Sequence, residues 1–245
     1  MIVSTEYVDI PVNGSFMRSF VATPKERGNY PGVLCYSDIF QLTGPMLRSC
    51  IRLAGYGFVV VAPEIYHRIE PPGLVIPFDD AGRTRGLEDA AKTSVADFDA
   101  DCRAAITFLT HHPYASLNAV AAAGFCIGGH LAFRAAFQPE VKATVAFYGT
   151  GIHNGKLGSD ADAGSLERSG EIRGRLLLVW GSLDPHVPVD ARRRIAEKLP
   201  ETGVEFSERL YAAEHAFMRD EGPRFDPQAT DLAFGDMINF FEAAF

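Results

Sequence analysis

The sequence predicts an α/β fold: a mostly parallel central sheet with helices on both faces and an antiparallel hairpin at its N-terminal edge. Three observations predict it. Short, almost wholly apolar runs recur from Gly32 onward; each is followed by a stretch with apolar positions three or four apart; and the preceding segment alternates about an Asn13-Gly14 pair. Apolar runs signal strands buried on both faces of a parallel sheet, helical periodicity between them signals crossovers, and Asn-Gly between alternating stretches signals a two-residue hairpin turn.

The elements follow in order. Ile2 to Val12 and Phe16 to Ala22 form the hairpin. Buried strands are expected at Gly32 to Tyr36, Phe58 to Ala62, Val120 to Ala123, Ala143 to Phe147 and Leu176 to Trp180, with a further strand at Phe206 to Tyr211. Helices are expected at Pro45 to Ala54, Ser94 to His111, Gly129 to Phe137, Asp190 to Leu199 and Ala229 to Ala244, where apolar residues return with helical period. Right-handed crossovers put them on both faces of the sheet. Two segments break the rhythm: Arg68 to Ala91, rich in Pro, Gly and charge, and Gly151 to Gly174, small and polar. Long irregular stretches inside a compact unit tend to be functional lids or disordered excursions, so both are expected at the mouth of a site.

Composition narrows the classes of function. A chain of 245 residues, 47% apolar and 22% charged, reads as one domain over residues 1–245 with a sizeable core. A formal net charge of −8 argues against an electrostatic grip on nucleic acid or an anionic membrane, which needs a basic surface. The four cysteines, Cys35, Cys50, Cys102 and Cys126, form no CxxC pair and no Cys/His cluster with zinc-like spacing, so no metal is expected and a reducing, cytoplasmic setting is. No segment has the run of roughly 18 apolar residues that marks a membrane helix.

The sharpest motif is Gly124-Phe125-Cys126-Ile127-Gly128-Gly129, after the strand Val120 to Ala123 and before a helix. It has the form G-x-S-x-G with cysteine in place of serine. A nucleophile on so tight a strand-to-helix turn needs neighbours without side chains two positions away, where strand and helix approach. The helix directs its positive end at the sulphur, favouring a thiolate and a developing oxyanion, which makes the Ile127 amide a natural donor. Taken alone, the motif also fits a buried, inert cysteine. Context decides: Asp184 follows the strand Leu176 to Trp180, and His215 follows the strand ending near Tyr211. The order nucleophile, acid, histidine is that of the α/β-hydrolase fold. The remaining histidines read as bland: His111 and His112 at a helix end, and His67, His130, His153 and His186 without a useful partner.

Several further motifs complete a pattern: Asp38-Ile39-Phe40, Ala62-Pro63-Glu64-Ile65-Tyr66, Phe147-Tyr148-Gly149, Gly181-Ser182-Leu183-Asp184-Pro185-His186-Val187-Pro188 and His215-Ala216-Phe217-Met218-Arg219. Together with the cysteine turn they resemble the dienelactone hydrolase family, also called carboxymethylenebutenolidases, from about Gly32 to the C-terminus. The resemblance implies a Cys-His-Asp triad on Cys126, His215 and Asp184, and an oxyanion hole from the amides of Ile127 and Ile39. The family glutamate that holds the resting cysteine out of line is replaced by Asp38, which reads equally as a cap for the following loop. Family arginines that grip a substrate carboxylate fall on Arg219 and, by ungapped counting, on Arg83. A family tyrosine falls on Leu87, so the substrate need not be dienelactone itself.

The expected activity is hydrolysis of a small lactone or enol ester through an acyl thioester, with no metal or organic cofactor, by a monomer or small homo-oligomer. Two alternatives stay open: a general carboxylesterase or thioesterase, and a non-catalytic, thiol-sensing protein on the same scaffold.

Overall fold

The N-terminal residues alternate as a half-buried hairpin should. In a computed structural model that describes residues 1–245, the side chain of Asn118 excepted, Val3–Val12 (β1) and Ser15–Pro24 (β2) pair antiparallel. Asn13 and Gly14 both take positive φ (47° and 77°), the conformation a two-residue primed turn demands. Next come Tyr30–Tyr36 (β3), helix Gly44–Gly55 (α1), Val59–Pro63 (β4), and helices Asp80–Lys92 (α2) and Val95–His111 (α3). Ala115–Phe125 (β5), helix Ile127–Ala135 (α4), Val141–Phe147 (β6), Arg175–Gly181 (β7), helix Val189–Glu201 (α5), Phe206–Tyr211 (β8) and helix Pro227–Glu242 (α6) complete the order. One eight-stranded sheet results, ordered β1-β2-β4-β3-β5-β6-β7-β8, antiparallel through β1, β2 and β4 and parallel from β4 to β8.

The period-2 geometry of the strands splits the core into two layers. Val33 and Cys35 of β3 with Ala121 and Ala123 of β5 face a cluster containing Leu53 of α1 and Phe234 and Phe241 of α6. Leu34, Tyr36 and Ala122 face the other way, against Phe98 and Leu109 of α3 and Leu131 of α4. The helices start where the sequence provides a stop for the first amides. Ser94 Oγ accepts from Asp97 N at 3.1 Å, Asp226 Oδ1 from Ala229 N at 2.9 Å, and Pro45 and Pro227 occupy first turns. Among the described residues no helix is long and apolar enough to cross a membrane.

The structure corrects the sequence reading of Arg68 to Ala91. Its second half is α2, capped by Asp79 Oδ1 accepting from Gly82 N at 2.7 Å. Its inner face consists of Gly82, Gly86, Asp89 and Ala90, so it seats closely without an apolar stripe. The segment Gly151 to Gly174 carries two short 3-10 turns, Ile152–Asn154 and Glu167–Glu171.

Candidate active site

The turn between β5 and α4 presents Cys126 with φ 59° and ψ −120°, strained backbone of the kind that costs roughly 1–3 kcal/mol and persists only when its surroundings enforce it. They do so here: Cys126 N donates to Phe147 O at 3.1 Å, and Cys126 O accepts from Gly129 N at 3.0 Å and Thr150 N at 3.2 Å. A Cβ on Gly124 would lie 1.9 Å from Gly128 O, and one on Gly128 would lie 2.3 Å from Ser37 O. Strand and helix therefore approach this closely only because both positions are glycine. Cys35, Cys50 and Cys102 are buried, whereas Cys126 is partly exposed on a cavity wall.

Asp184 and His215 meet at the same place although they lie on separate loops, after β7 and before α6. The Nδ1–H of His215 donates to Asp184 Oδ2 at 2.7 Å, and Asp184 Oδ1 accepts from the amides of His186 (2.7 Å) and Val187 (3.3 Å). Burial works to raise the Asp184 carboxyl, but the His215 bond and charge and the two amides outweigh it, and its pKa falls below the usual value. For His215, burial works against the charged ring; the Cys126 thiolate and the Asp184 carboxylate reverse this and lift its pKa to about 9. Beside a Cys126 thiolate the ring is therefore held as an imidazolium. The Cys126 sulphur acts on the ring first through its thiolate charge and also through a side-chain contact of hydrogen-bonding type. Such contacts commonly tighten only when substrate is bound.

Two rings without a role in the sequence pattern pack on His215. Tyr148, itself at positive φ (39°), packs edge-on against His215 at 5.1 Å between centroids, and His186 does the same at 4.7 Å. Burial, the His215 charge and the charges of Arg224 and Arg83 lower the His186 pKa against the pull of Asp184, so this ring is neutral. The only sequence signal for His186 is its place two residues after Asp184. His153 also lines the cavity, its Nδ1 buried without a hydrogen-bond partner. His67 pairs outside the cavity lining: its Nε2 lies 3.2 Å from Asp101, beside Arg68. His130 is buried between Thr150 O and Ser165 Oγ, and burial drives its pKa down to about 3.

The cavity beside Cys126 has a volume of about 640 Å³. Ile39, Ile127, Arg83, Leu87, His186, His215, Arg219 and Arg224 are among its walls, and both rhythm-breaking segments reach it, through α2 and through residues 150–160. Ile127 is the first residue of α4, and among the described residues neither its amide nor that of Ile39 donates to an internal acceptor. Asp38 lies outside the cavity lining and does not bond Cys126. Its Oδ1 accepts from Phe40 N at 2.9 Å, as a turn cap, and its Oδ2 accepts from both Nε (3.1 Å) and Nη2 of Arg219. The Arg219 guanidinium is further held against the rings of Phe40 and Phe78, at 4.7 and 4.5 Å. Of the two readings open for Asp38, the cap of the following loop is the one its Oδ1 takes, while its Oδ2 pairs with Arg219, which also lines the cavity. Arg83, placed only by ungapped counting, does line the cavity.

With this geometry in place, relatives can be compared. Residues 17–245 match the profile described as the dienelactone hydrolase family. A Saccharomyces cerevisiae protein provisionally named a carboxymethylenebutenolidase is 35% identical over 252 residues, covering 98% of this chain and 92% of its own. The carboxymethylenebutenolidase of Pseudomonas sp. strain P51 is 30% identical over 207 residues, covering 84% and 82%. A crystal structure from Klebsiella pneumoniae, provisionally named a dienelactone hydrolase, superposes with a TM-score of 0.87 at 23% identity over 99% of both chains.

Proposed function

This chain belongs to the dienelactone hydrolase family, and from that premise we propose that it hydrolyses a small, carboxylate-bearing lactone or enol ester with Cys126 as nucleophile. The observation that carries the reading is the 2.7 Å Asp184–His215 bond beside a strained, cavity-facing cysteine. Membership makes the chain a hydrolase acting on ester bonds; the residue roles below are our assignment.

The Cys126 thiolate attacks the carbonyl carbon, and the charge that develops on the carbonyl oxygen is received by the amides of Ile127 and Ile39. Each such donor contributes roughly 10²-fold or more to the rate. The tetrahedral adduct collapses, the C–O bond breaks, and the imidazolium of His215 gives its proton to the departing oxygen, leaving a thioester. Acylation has then removed the thiolate, the largest influence holding the His215 pKa up, while burial still opposes the charged ring, so the pKa falls and the neutral ring serves as the base. It takes a proton from water, hydroxide adds to the thioester, and Cys126 leaves as thiolate while the imidazolium re-forms. Asp184 keeps Nδ1 protonated throughout, so that Nε2 serves both steps. The cycle needs only side chains and backbone amides.

Thioesters formed from poor leaving groups would revert before hydrolysis, which favours activated lactones and enol esters over amides. The test is kcat/KM for enol-lactones against p-nitrophenyl esters and acyl thioesters. A preference for enol-lactones is expected. A strong preference for simple esters or thioesters would instead assign a general carboxylesterase or thioesterase, a range that the 640 Å³ cavity has room for. A Cys126 no more reactive toward iodoacetamide than a free thiol, with no turnover of any of the three, would leave a thiol-sensing protein.

A further inference from the structure

Beneath the nucleophile turn, outside the cavity lining, runs a chain of buried polar groups that takes no part in the chemistry above. Its members are Arg134, Ser165 and His130, all buried. The direction of each proton follows from the two ends of the chain, one of which can only donate and the other only accept. At the first end, Nε and Nη2 of Arg134 hold Asp99 of α3 at 2.9 and 2.6 Å, and Nη1 donates to Ala163 O at 2.8 Å and to Ser165 Oγ at 2.9 Å. At the other end the Thr150 carbonyl accepts, so His130 Nδ1, 2.9 Å away, carries the ring proton. Nε2 is then an acceptor, and the Ser165 hydroxyl donates to it at 2.7 Å. Burial first and the Arg134 charge second keep the ring neutral, with a pKa of about 3, against the pull of the Thr150 carbonyl.

Thr150 is where this chain meets the site. While its carbonyl is held by His130, its N–H donates to Cys126 O at 3.2 Å. The Cys126 carbonyl and the Ile127 N–H belong to one planar peptide unit, so a bond that fixes the carbonyl also fixes the direction in which the Ile127 amide points. On the far side of Thr150 the backbone turns at Gly151 (φ 78°) into the cavity wall that carries His153, Lys156 and Leu157.

We propose that His130 is a positioning residue: through Thr150 it sets the plane of the Cys126–Ile127 peptide, and with it the aim of the oxyanion-binding amide, and keeps the adjoining cavity wall in register. This rests on the role given to Ile127 in the ester-hydrolase reading, and the test separates the two.

Asparagine and glutamine divide the two ring nitrogens between them. In His130→Asn the side-chain amide stands where Nδ1–H stood and can still serve Thr150; in His130→Gln it reaches toward Ser165 and leaves Thr150 unserved. With p-nitrophenyl acetate, His130→Gln should lower kcat by about 10- to 100-fold with KM little changed, the effect of a small misplacement at the reacting centre, and His130→Asn should restore most of it. Equal kcat in the two variants, or a loss confined to KM, overturns the proposal. Long-range nitrogen NMR of the native protein at neutral pH should show His130 protonated on Nδ1; a proton on Nε2 overturns it. Hydrogen exchange of the Thr150 amide reads the same contact without turnover: slow in the native protein and in His130→Asn, fast in His130→Gln. Exchange at one rate in all three overturns the positioning role. If the native protein cleaves no ester, only the hydrolase reading falls, and the ring tautomer and the Thr150 exchange still decide the role of His130. Where a changed ring prevents folding, Ser165→Ala carries the test, because it removes the donor that keeps the proton off Nε2. The Nδ1-protonated fraction and kcat should then fall together, and either one unchanged overturns the proposal.

Discussion

Replacing Cys126 with serine should lower the pKa of His215. In the native protein burial opposes the charged ring, yet the thiolate and the Asp184 carboxylate lift it from 6.5 to about 9. At about 1.4 kcal/mol per pH unit, the imidazolium is favoured by roughly 3 kcal/mol over that of a free histidine. Because the folded-state value is the higher one, this stabilisation is fully present below pH 6.5 and is lost as pH rises through about 9. The thiolate is the largest of the raising influences and burial remains after it is gone, so the ring in Cys126→Ser should titrate at least about one pH unit lower. The assay is an NMR titration of the histidine ring carbons in native protein, in Cys126→Ser and in native protein alkylated with iodoacetamide. Both perturbations remove the same charge and should lower the ring alike. A His215 that still titrates near 9 in the two altered proteins would show that Asp184 alone sets it. The switch from acid to base on acylation would then have no foundation.

Asp184→Asn should cut kcat/KM by about 10²–10⁴-fold, as it leaves the His215 tautomer unspecified. The lowered carboxylate pKa stabilises the fold above its ordinary value and is lost as pH falls through the folded one, so melts between pH 5 and 3 should lose less Tm in this variant than in the native protein; equal losses would contradict the assignment. Gly128→Ala puts a Cβ 2.3 Å from Ser37 O and 2.6 Å from Tyr36 O, and Tm should drop by roughly 5–10 °C with activity, whereas an unchanged melt would refute the close approach at the turn. Asp89 is buried beside Glu70, with Oδ2 unpartnered; burial first, and Glu70 second, raise its pKa to about 6. Its cost to the fold therefore grows as pH rises through 6, and Asp89→Asn should raise Tm at pH 8 while changing little at pH 4, as read by calorimetry.

The parts of this molecule written in local patterns are readable from sequence. Asn13-Gly14 announces the hairpin, the apolar runs announce the parallel strands, and the glycines around Cys126 announce a turn whose steric reason the coordinates supply. Asp184 and His215 are readable because the carboxyl end of a parallel strand delivers the next few residues to the edge of the sheet where ligands bind. Helix α2 is not, because its buried face is Gly82, Gly86, Asp89 and Ala90, and small residues seat a helix without leaving an apolar period. The Asp38–Arg219 pair joins residues 181 positions apart, and no local pattern encodes that both ends are already engaged. His186 escapes sequence reasoning for a related cause: its backbone amide serves Asp184, while its ring is turned onto His215 by a loop path that sequence spacing does not specify. Arg224 lies on the loop between His215 and α6, where a charged residue looks like ordinary surface until the cavity wall is seen.

Covalent catalysis at Cys126 is the claim on which the rest depends, and rapid-quench mass spectrometry of the intact protein turning over an enol-lactone tests it most directly. The account predicts an adduct heavier by the mass of one substrate molecule, mapped to the peptide that holds Cys126, formed before steady state and missing in Cys126→Ala together with turnover. Full turnover in Cys126→Ala, or steady hydrolysis by the native protein with an adduct only at another residue, would contradict it.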